Sequence, residues 1–362
     1  MRRLLLPLLL LGIVGCKGRK REAPPPQPIR LTLVAVGDLL MHQDVKRAAQ
    51  ENPNGYKGLW GDLQPLFEGA DLVSGNLETP IAPRTGAPGR PFVFNAPAEL
   101  PNALKASGFT VLSTANNHAF DQGTQGALET LERLESAGLS SVGSGRDRAE
   151  AETARILERK GVRIAFLAFT DLFNANLNQE GRGPWVRRLE EGALLQALRT
   201  ARAQADLVVV SVHWGNEYEH LPRPRQRQLA REMIGEGADL VIGHHPHVLQ
   251  PLEWIEANGR RGAVAFSLGN FISNQDRKYE GCTDVAEGDS RDGAALVAVF
   301  RKDPSGPARL ESVRTEPLWT ENNWAAFASG RTRRREIRVV RASADGGILE
   351  RRRQRIQQIL GQ

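Results

Sequence analysis

Residues 238–247 read ADLVIGHHPH, a short apolar run that leads directly into three histidines, His244, His245 and His247. The chain has only seven histidines in 362 residues, so three within four positions is a strong local concentration. Short runs rich in Val, Leu and Ile are typical of strands buried on both faces, as in parallel sheets. A single buried histidine is often just a hydrogen-bonded core residue, but a group of three indicates a functional strand end.

Six other stretches share this design, in which a continuous apolar run ends in polar residues. They are LTLVAVGD (31–38), ADLVSGNLE (70–78), FTVLSTANNH (109–118), VRIAFLAFTD (162–171), ADLVVVSVHWG (205–215) and VAFSLGNF (264–271). Helix-like stretches lie between them, at 124–137, 189–204 and 226–236. Strands that alternate with helices predict an α/β fold with a largely parallel sheet. Further along, we expect strands at 295–300 and 309–320, a loop at 274–292 and a basic amphipathic helix at 347–360.

The polar strand ends predict one shared site. In open α/β sheets, ligands bind outside the carboxyl ends of the strands, where side chains from distant parts of the sequence meet. The residues expected to converge there are Asp38, Glu78, Asn117, His118, His213, His245 and His247. Carboxylates and imidazoles favour a divalent transition metal, and the absence of thiolates excludes a structural zinc knot.

The pair His245 and His247 has the spacing of two side chains on one face of an extended segment. Residues i and i+2 of such a segment point the same way, so both rings are expected to face the site. His244 is then expected to point the other way and to support the site. Six of the seven histidines lie in or beside strand-end motifs, and His220 is the outlier.

The first residues, MRRLLLPLLLLGIVGC, have the pattern of a secretory signal: two arginines, an apolar run and small residues before Cys16. The apolar run is shorter than the roughly 20 residues that span a bilayer. Residues 13–16 resemble a bacterial lipobox, which implies cleavage before Cys16 and lipidation of its thiol, with the mature protein held on the extracytoplasmic side of a membrane. A plain signal peptide or a short anchor is the alternative.

The net charge of +6 is a property of the C-terminal end. The last 32 residues hold ten arginines and three acidic residues, which leaves the first 330 with a net charge of −1. A basic nucleic-acid-binding face on the main domain is therefore not indicated, and no nucleic-acid partner is expected. The arginine-rich stretches RTRRREIR (331–338) and ERRRQRI (350–356) are interpreted as a solvated helix region, or as contacts to anionic lipid or polymer.

Six ordered motifs resemble the bacterial capsule-synthesis protein CapA family, which is linked to poly-γ-glutamate capsules. The motifs are GDLLMH, GNLETP, TANNHAFDQG, VSVHWGNEYEH, GADLVIGHHPHVLQP and FSLGNF. The resemblance implies a metallophosphoesterase-like α/β sandwich with mostly parallel strands, polar strand ends forming the site, and one or two divalent ions of the Mn, Fe or Zn type. The expected organisation is a signal peptide at 1–15, a lipidated cysteine and proline-rich linker at 16–30, the main domain at 31–300, and a C-terminal strand and basic tail at 301–362.

The resemblance also implies roles for individual side chains. Metal ligands are expected at Asp38, Glu78, Asn117, His213, His245 and His247, with Glu78 bridging. His118 is expected to act as general acid beside Asp121. Substrate contacts are expected at His42, His244 and Asn270, with a plain turn as the alternative for Asn270. Leu40 stands where phosphoesterases usually carry a histidine, which places one metal position in doubt.

Two functional hypotheses follow. The first is an envelope-tethered, metal-dependent hydrolase of the phosphoesterase type that serves synthesis or export of an anionic capsule polymer. The second is a non-catalytic subunit that binds polymer or organises a membrane synthase complex. The carboxylates and histidines favour the hydrolase, whereas Leu40 favours the scaffold.

Overall fold

The computed structural model describes residues 27–281, 284–343 and 346–361. The predicted signal peptide, Cys16 and most of the predicted linker lie outside the described residues. The strands are β1 (Ile29–Leu39), β2 (Leu72–Leu77), β3 (Val111–Ser113), β4 (Ser140–Val142), β5 (Ser144–Gly145), β6 (Arg155–Arg159), β7 (Val162–Thr170), β8 (Trp185–Val186), β9 (Leu207–His213), β10 (Leu240–His244), β11 (Leu249–Ala257), β12 (Arg260–Leu268), β13 (Asn270–Ile272), β14 (Asp292–Lys302), β15 (Ala308–Asn322) and β16 (Ile337–Arg341). The α-helices are α1 (Gln43–Glu51), α2 (Gln64–Glu68), α3 (Leu100–Ser107), α4 (Gly123–Ser136), α5 (Arg148–Glu152), α6 (Glu191–Gln204), α7 (Pro224–Glu236), α8 (Trp324–Ala328) and α9 (Gly347–Leu360), with 3₁₀ turns at 55–59, 61–63 and 285–291.

Two large sheets form the centre of the fold. The first has the strand order β16-β15-β14-β1-β2-β3-β4, with β13 also paired to β1, and the second has the order β11-β12-β10-β9-β7-β6. In the first sheet, β1, β2, β3 and β4 are neighbours in that order and are parallel. In the second sheet, β12, β10, β9 and β7 are neighbours in that order and are parallel. In the first sheet β14, β15 and β16 are antiparallel and the parallel strand β4 forms the opposite edge, whereas in the second sheet both edge strands, β11 and β6, are antiparallel to their neighbours. The predicted α/β sandwich is confirmed, with the parallel strands at one end of the first sheet and in the middle of the second.

The two sheets pack face to face, and helices cover their outer faces. Along β1, Leu33 lies in the core between the sheets together with Val209 and Leu240 of the second sheet. The next residue, Val34, points to the opposite face and packs in the cluster that includes Leu104 of α3. This alternation is the normal side-chain period of a strand. On the other side, α6 and α7 cover the second sheet. The result is a four-layer α/β/β/α sandwich.

All seven apolar runs form strands, but the run 264–271 is divided. Gly269, with φ of 63°, separates β12 from β13 and lets the chain cross from the second sheet to the first. Its carbonyl accepts the N–H of Asp38 at 3.0 Å. A Cβ atom on Gly37 would lie 1.9 Å from that same oxygen, so glycine is required at position 37. The loop predicted at 274–292 is wrong for 285–291, which form a 3₁₀ turn.

The C-terminal end is built into the fold. Strands β15 and β16 extend the first sheet, and α9 packs against it through Ile356 and Leu360. Arg352 of α9 is completely buried and donates from Nε to Asp292 at 2.8 Å and from Nη2 to Asp289 at 2.7 Å. The interpretation of the arginine-rich stretches as solvated is therefore wrong for Arg352. No helix in the described part of the chain is both long enough and apolar enough to cross a bilayer.

Candidate metal centre

Asp38 stands at the end of β1 and is completely buried. Its Oδ1 accepts a hydrogen bond from Asn76 at 2.9 Å and lies 3.1 Å from Nδ1 of His244. Its Oδ2 accepts the main-chain N–H of His245 at 3.2 Å and lies 3.3 Å from Nδ1 of His247. Burial raises the pKa of this carboxyl, but the hydrogen bonds with His244 and His247 outweigh burial and hold the pKa well below its usual range. Asp38 is therefore an anionic anchor at the meeting point of β1, β2 and β10.

Glu78 follows β2 and is also completely buried. Its Oε1 atom lies 3.6 Å from Nε2 of His213 and 3.8 Å from Nε2 of His247. That oxygen has no hydrogen-bond partner among the described residues. Burial, reinforced by the neighbouring Asp38 carboxylate, raises the pKa of Glu78 well above its usual range. An unpartnered buried carboxylate oxygen that faces two imidazoles is a position where a cation would be stabilised.

His213 ends β9, and its ring lies close to two asparagine side chains. Its Nε2 atom is 2.9 Å from Oδ1 of Asn117, and its Nδ1 atom is 3.3 Å from the amide nitrogen of Asn76. Burial lowers the pKa of His213 well below its usual range. The imidazole is therefore neutral at physiological pH, which is the form that binds metal ions.

His245 and His247 occupy a turn that follows β10 directly. Their φ angles are 95° and 57°, so neither residue is extended, and the extended backbone assumed for the i, i+2 pair is wrong. Their rings nevertheless lie 5.8 Å apart, and the ring of His245 lies 4.8 Å from that of His213. Burial lowers the pKa of His245 to about 4, and its Nδ1 has no hydrogen-bond partner among the described residues. Backbone strain of this kind is concentrated at functional sites.

The described residues include two groups of side chains that could each hold a metal ion. One consists of Asp38, Glu78 and His213, and the other of Glu78, His245 and His247; within each group the ligand atoms lie within 4.8 Å of one another. Glu78 belongs to both groups, which fits the bridging role that the family resemblance implies. The donors are oxygen and nitrogen atoms only, a set suited to Mn, Fe or Zn. The buried unpartnered atoms of Glu78 and His245 are the observation that a bound cation would explain.

His118 lies beside these groups. Its Nδ1 atom is 2.7 Å from Oδ2 of Asp121, and its side chain is 9% exposed. The amide of Asn174 lies 3.3 Å from the same ring nitrogen, and its Oδ1 accepts a hydrogen bond from Asn117 at 3.2 Å. Asn174 therefore joins Asn117, which contacts His213, to the ring of His118. Nε2, which the Asn174 amide approaches only to 3.5 Å, is the His118 atom with which a bound group could exchange a proton.

The three predicted substrate contacts occupy different environments. His42 is partly exposed at the start of α1, and burial lowers its pKa to about 4. His244 is buried behind Asp38, where it orients that carboxylate. Asn270 is 1% exposed, and its Oδ1 lies 3.1 Å from Nδ1 of His247. Of these three residues, His42 is the one placed where a substrate could reach it directly.

Leu40 directly follows β1 and occupies the position where phosphoesterases usually carry a histidine that binds metal. Its side chain is 1% exposed in the core. His42, two residues further on, does not belong to either group of potential ligands among the described residues. Its Nδ1 atom instead accepts the main-chain N–H of Asn274 at 3.3 Å. The potential ligands are therefore Asp38, Glu78, His213, His245 and His247, and no histidine from the segment after β1 is among them.

Two asparagines at the site were not singled out from the sequence. Asn76 lies within β2, and its amide reaches Asp38, Glu78 and His213. The motif GNLE placed it two residues before Glu78, on the same face of the strand, which was an available signal. Asn174 lies in an irregular loop, where no periodicity relates it to the strand ends.

Comparison with known proteins gives relatives in capsule synthesis. The capsule biosynthesis protein CapA of Bacillus anthracis is 34% identical over 285 residues, which cover 75% of this chain and 68% of that protein. The PGA biosynthesis protein CapA of Bacillus subtilis (strain 168) is 36% identical over 243 residues, which cover 66% of this chain and 62% of that protein. The chain thus spans 62–68% of the length of these two relatives.

Among solved structures, the NAD nucleotidase of Haemophilus influenzae has a TM-score of 0.47 at 12% identity, over 82% of this chain and 53% of that one. The 5′-nucleotidase precursor of Thermus thermophilus has a TM-score of 0.47 at 13% identity, over 91% and 59%. The match of residues 32–275 to the family described as bacterial capsule synthesis protein PGA_cap covers most of the sandwich and all the metal-site residues described above. The chain belongs to the bacterial capsule synthesis protein family PGA_cap.

Proposed function

We propose that this protein is a metal-dependent hydrolase of the phosphoesterase type that acts in capsule synthesis at the cell envelope. The single observation that carries the proposal is the pair of ligand groups that share the buried carboxylate of Glu78. The names of the relatives, capsule biosynthesis protein and PGA biosynthesis protein, support the biological setting.

The chemistry follows from the residues around the shared carboxylate. The residues that would hold one or two divalent ions are Asp38, Glu78, Asn117, His213, His245 and His247. Such ions supply Lewis-acid activation of a phosphate ester and of the water that hydrolyses it. The chain's own contribution is to fix the ligands: Asn76 holds Asp38, and Asn270 holds His247. Orientation of ligands by hydrogen bonds of this kind commonly matters for both affinity and activity.

His118 is proposed as the general acid. Hydrolysis forms a bond between a water oxygen and phosphorus and breaks the ester P–O bond. The leaving oxygen takes a proton from Nε2 of His118, the attacking water releases one proton to solvent, and His118 then regains a proton from solvent. Asp121 stabilises the ring through its contact with Nδ1. The ring of Phe94, whose centroid is 4.5 Å from that of His118, limits the ring's movement.

The location and partners are part of the same proposal. Lipidation at Cys16 would tether the protein on the extracytoplasmic side of a membrane, within reach of an anionic capsule polymer and of membrane synthase subunits. A nucleic-acid substrate does not fit a main domain, residues 31–300, whose sequence carries a net charge of −7.

A second candidate is a non-catalytic subunit that binds polymer or organises a synthase complex. The observation that favours it is Leu40, a buried leucine where a phosphoesterase would present a further histidine. With one ligand fewer, the centre would hold its ions less tightly or would hold only one.

Metal analysis combined with a hydrolysis assay tests the proposal. The full chain, purified in detergent, is analysed for metal content and then assayed on an aryl phosphate with and without manganese. Stoichiometric metal and turnover that is lost in His118→Ala, with metal retained, are the expected results. Metal-free protein that resists reconstitution, or turnover unaffected by His118→Ala, would overturn the hydrolase and favour the scaffold.

A further inference from the structure

His220, the histidine outside the strand-end motifs, lies in the loop 214–223 between β9 and α7. Nδ1 of its ring is 2.9 Å from the main-chain carbonyl oxygen of Leu249, and Nε2 is 2.9 Å from Oδ2 of Asp289. The ring therefore bridges the first residue of β11 and the 3₁₀ turn at 285–291. Its side chain is 28% exposed, so the ring can exchange protons with solvent.

Both groups that face the His220 ring can only accept hydrogen bonds. A carbonyl oxygen and an ionised carboxylate carry no proton, so each ring nitrogen must carry one for both contacts to form. Neutral imidazole has one N–H group, whereas imidazolium has two. The two contacts together therefore require a protonated, positively charged ring.

Two arginines of α9 keep Asp289 ionised. Nη2 of Arg352 donates to Oδ1 of Asp289 at 2.7 Å, and Nη2 of Arg355 donates to Oδ2 at 2.7 Å. Burial raises the pKa of Asp289, but hydrogen bonds from His220 and the two arginines outweigh burial and hold the pKa well below its usual range. The carboxylate therefore stays charged while His220 gains or loses its proton.

The charged groups around His220 come from three elements, and they are Asp289 of the 3₁₀ turn, Arg352 and Arg355 of α9, and Glu219 and Arg223 of the loop. From β11 the facing group is the uncharged carbonyl of Leu249. The hydrogen bond with Asp289 raises the pKa of His220 above its ordinary 6.5, against the effects of burial and of Arg355. The stabilisation that the charged ring provides is therefore complete below pH 6.5 and is lost as pH rises through the raised value.

The loop that carries His220 packs along the turn 245–247, which holds two of the proposed metal ligands. The main-chain N–H of Tyr218 donates to the carbonyl of Pro246 at 2.8 Å, in the middle of that turn. Just after the turn, the side chain of Gln250 donates to a main-chain carbonyl of the loop at 2.7 Å. Together with the bond from the His220 ring, these contacts join the loop to the turn and to the chain that leaves it.

Three residues at this contact have positive φ angles, which are uncommon outside glycine. They are Tyr218 at 63°, His245 at 95° and His247 at 57°. Such conformations persist when the surrounding contacts fix them. The bond from His220 secures the chain two residues after His247, so it is one of the contacts that can fix this turn.

We propose that protonated His220 is a positioning residue for the metal centre. By joining Asp289 to the carbonyl of Leu249, it holds the turn 245–247 in the geometry in which His245 and His247 bind metal. The proposal rests on the proposed function for the identity of these ligands. Loss of the proton leaves one N–H group for two acceptors, so one bond is lost, the turn becomes more mobile and metal binding weakens.

Hydrogen exchange and metal titration on the full chain in detergent test this inference. The test variant is His220→Gln, which keeps a side-chain N–H donor but carries no charge. The matched control is Glu219→Gln, which removes a charge from the same loop and leaves the His220 ring in place. Backbone amide exchange at 214–220 and 245–249 is measured on metal-free protein, and Mn²⁺ affinity is measured on the same preparations, from about pH 6 to about pH 9.

NMR of protein that carries isotope-labelled histidine gives the protonation state of His220 as a function of pH, and His220→Gln identifies its signal. Chemical denaturation at each pH shows that every variant is folded. Exchange rates are corrected for the intrinsic effect of pH on amide exchange.

At about pH 6 the wild type is expected to bind Mn²⁺ about tenfold more tightly than His220→Gln, a loss typical of residues that orient metal ligands. This ratio should fall towards one as pH rises, with the same midpoint as the NMR titration of His220. Exchange protection of the turn in the metal-free wild type should fall over the same range, and in His220→Gln it should be low throughout. Glu219→Gln should behave as the wild type does.

Three results would overturn the inference: a neutral His220 ring at about pH 6, an affinity ratio that is the same at every pH, or turn protection that does not follow the titration of His220. The hydrolase proposal fails separately. Protein that shows the expected affinity ratio but does not hydrolyse an aryl phosphate would retain the role of His220 and reject the hydrolase. In protein that binds no Mn²⁺, exchange on the metal-free chain still decides whether His220 holds the turn.

Discussion

Nδ1 of His118 lies 2.7 Å from Oδ2 of Asp121, and that same oxygen accepts the main-chain N–H of Phe94 at 2.6 Å. One carboxylate thus fixes both the ring proposed as the general acid and the main chain at Phe94, whose own ring packs on that of His118. The position of His118 is therefore linked through Asp121 to the loop that carries Phe94.

Asp121→Asn is expected to lower hydrolytic turnover by roughly tenfold to hundredfold, because the His118 ring loses its charged orienting partner. Metal content should not change, since Asp121 belongs to neither ligand group among the described residues. Steady-state kinetics and metal analysis on the same preparation check this, with the exposed Asp62→Asn as control. Loss of metal together with turnover would instead make Asp121 part of the metal-binding structure.

Glu78→Gln is expected to remove most bound metal, because the carboxylate is shared by both groups of ligands. Ligand binding stabilises the native state, so a chelator should lower the Tm of the wild type and leave that of Glu78→Gln almost unchanged. His42→Ala serves as the control and should retain the wild-type metal content. Full metal occupancy in Glu78→Gln would exclude a bridging role for this residue.

We expect the protein to lose stability at acidic pH as Glu129 becomes protonated. Burial raises the pKa of this α4 carboxyl, but hydrogen bonds from Thr85 and Arg133 and from main-chain N–H groups lower it to about 2. Because the folded-state value lies below the ordinary 4.5, the stabilisation is present above that pH and is lost as pH falls towards 2. The loss is on the order of 3 kcal/mol.

Glu129→Gln should remove this part of the pH dependence. Urea unfolding at a series of acidic pH values measures it. The comparison is Glu132→Gln, which alters an exposed ion pair on the next turn of the same helix. If the free energy of unfolding of Glu129→Gln falls with pH as that of the wild type does, other carboxylates are responsible.

Arg352→Met is expected to cost about 3–5 kcal/mol in the free energy of unfolding, since it leaves the buried Asp292 without its cation and removes one of the two arginines that pair with Asp289. Both carboxylates contact the Arg352 guanidinium. The neighbouring Arg351→Met changes an exposed side chain and should have little effect. Chemical denaturation compares the two, and equal stability of both variants would contradict a structural role for the buried arginine.

The sequence allowed the site residues to be predicted where a buried apolar strand ends directly in polar side chains. The runs that end in Asp38, His213 and His244 are apolar because these strands are buried on both faces, and their polar ends follow directly in the chain. The residues of the site were therefore readable as strand ends. Which runs share a sheet was not readable, because a strand buried on both faces looks the same in either sheet.

The features that the sequence did not predict are a turn with unusual backbone angles, a residue in an irregular loop and a buried arginine. His245 and His247 have positive φ angles in a turn that contacts Asp38, and no alternation of residue types in the sequence indicates such a turn. Asn174 reaches His118 from an irregular loop. Arg352 was counted as one of many arginines, since composition does not distinguish a buried guanidinium from a solvated one.

Strand β1, which carries Asp38, is paired on one side with β2 and on the other with β14, so that residues 29–35 lie against residues 296–302. During synthesis the strand meets its first neighbour early, but the second is made only after some 250 further residues have followed it. Until then β1 has an open edge, which is a surface prone to pairing with other chains. All the proposed metal ligands, from Asp38 to His247, precede β14 in the sequence, so the segment that covers this edge of β1 is made only after the whole ligand set.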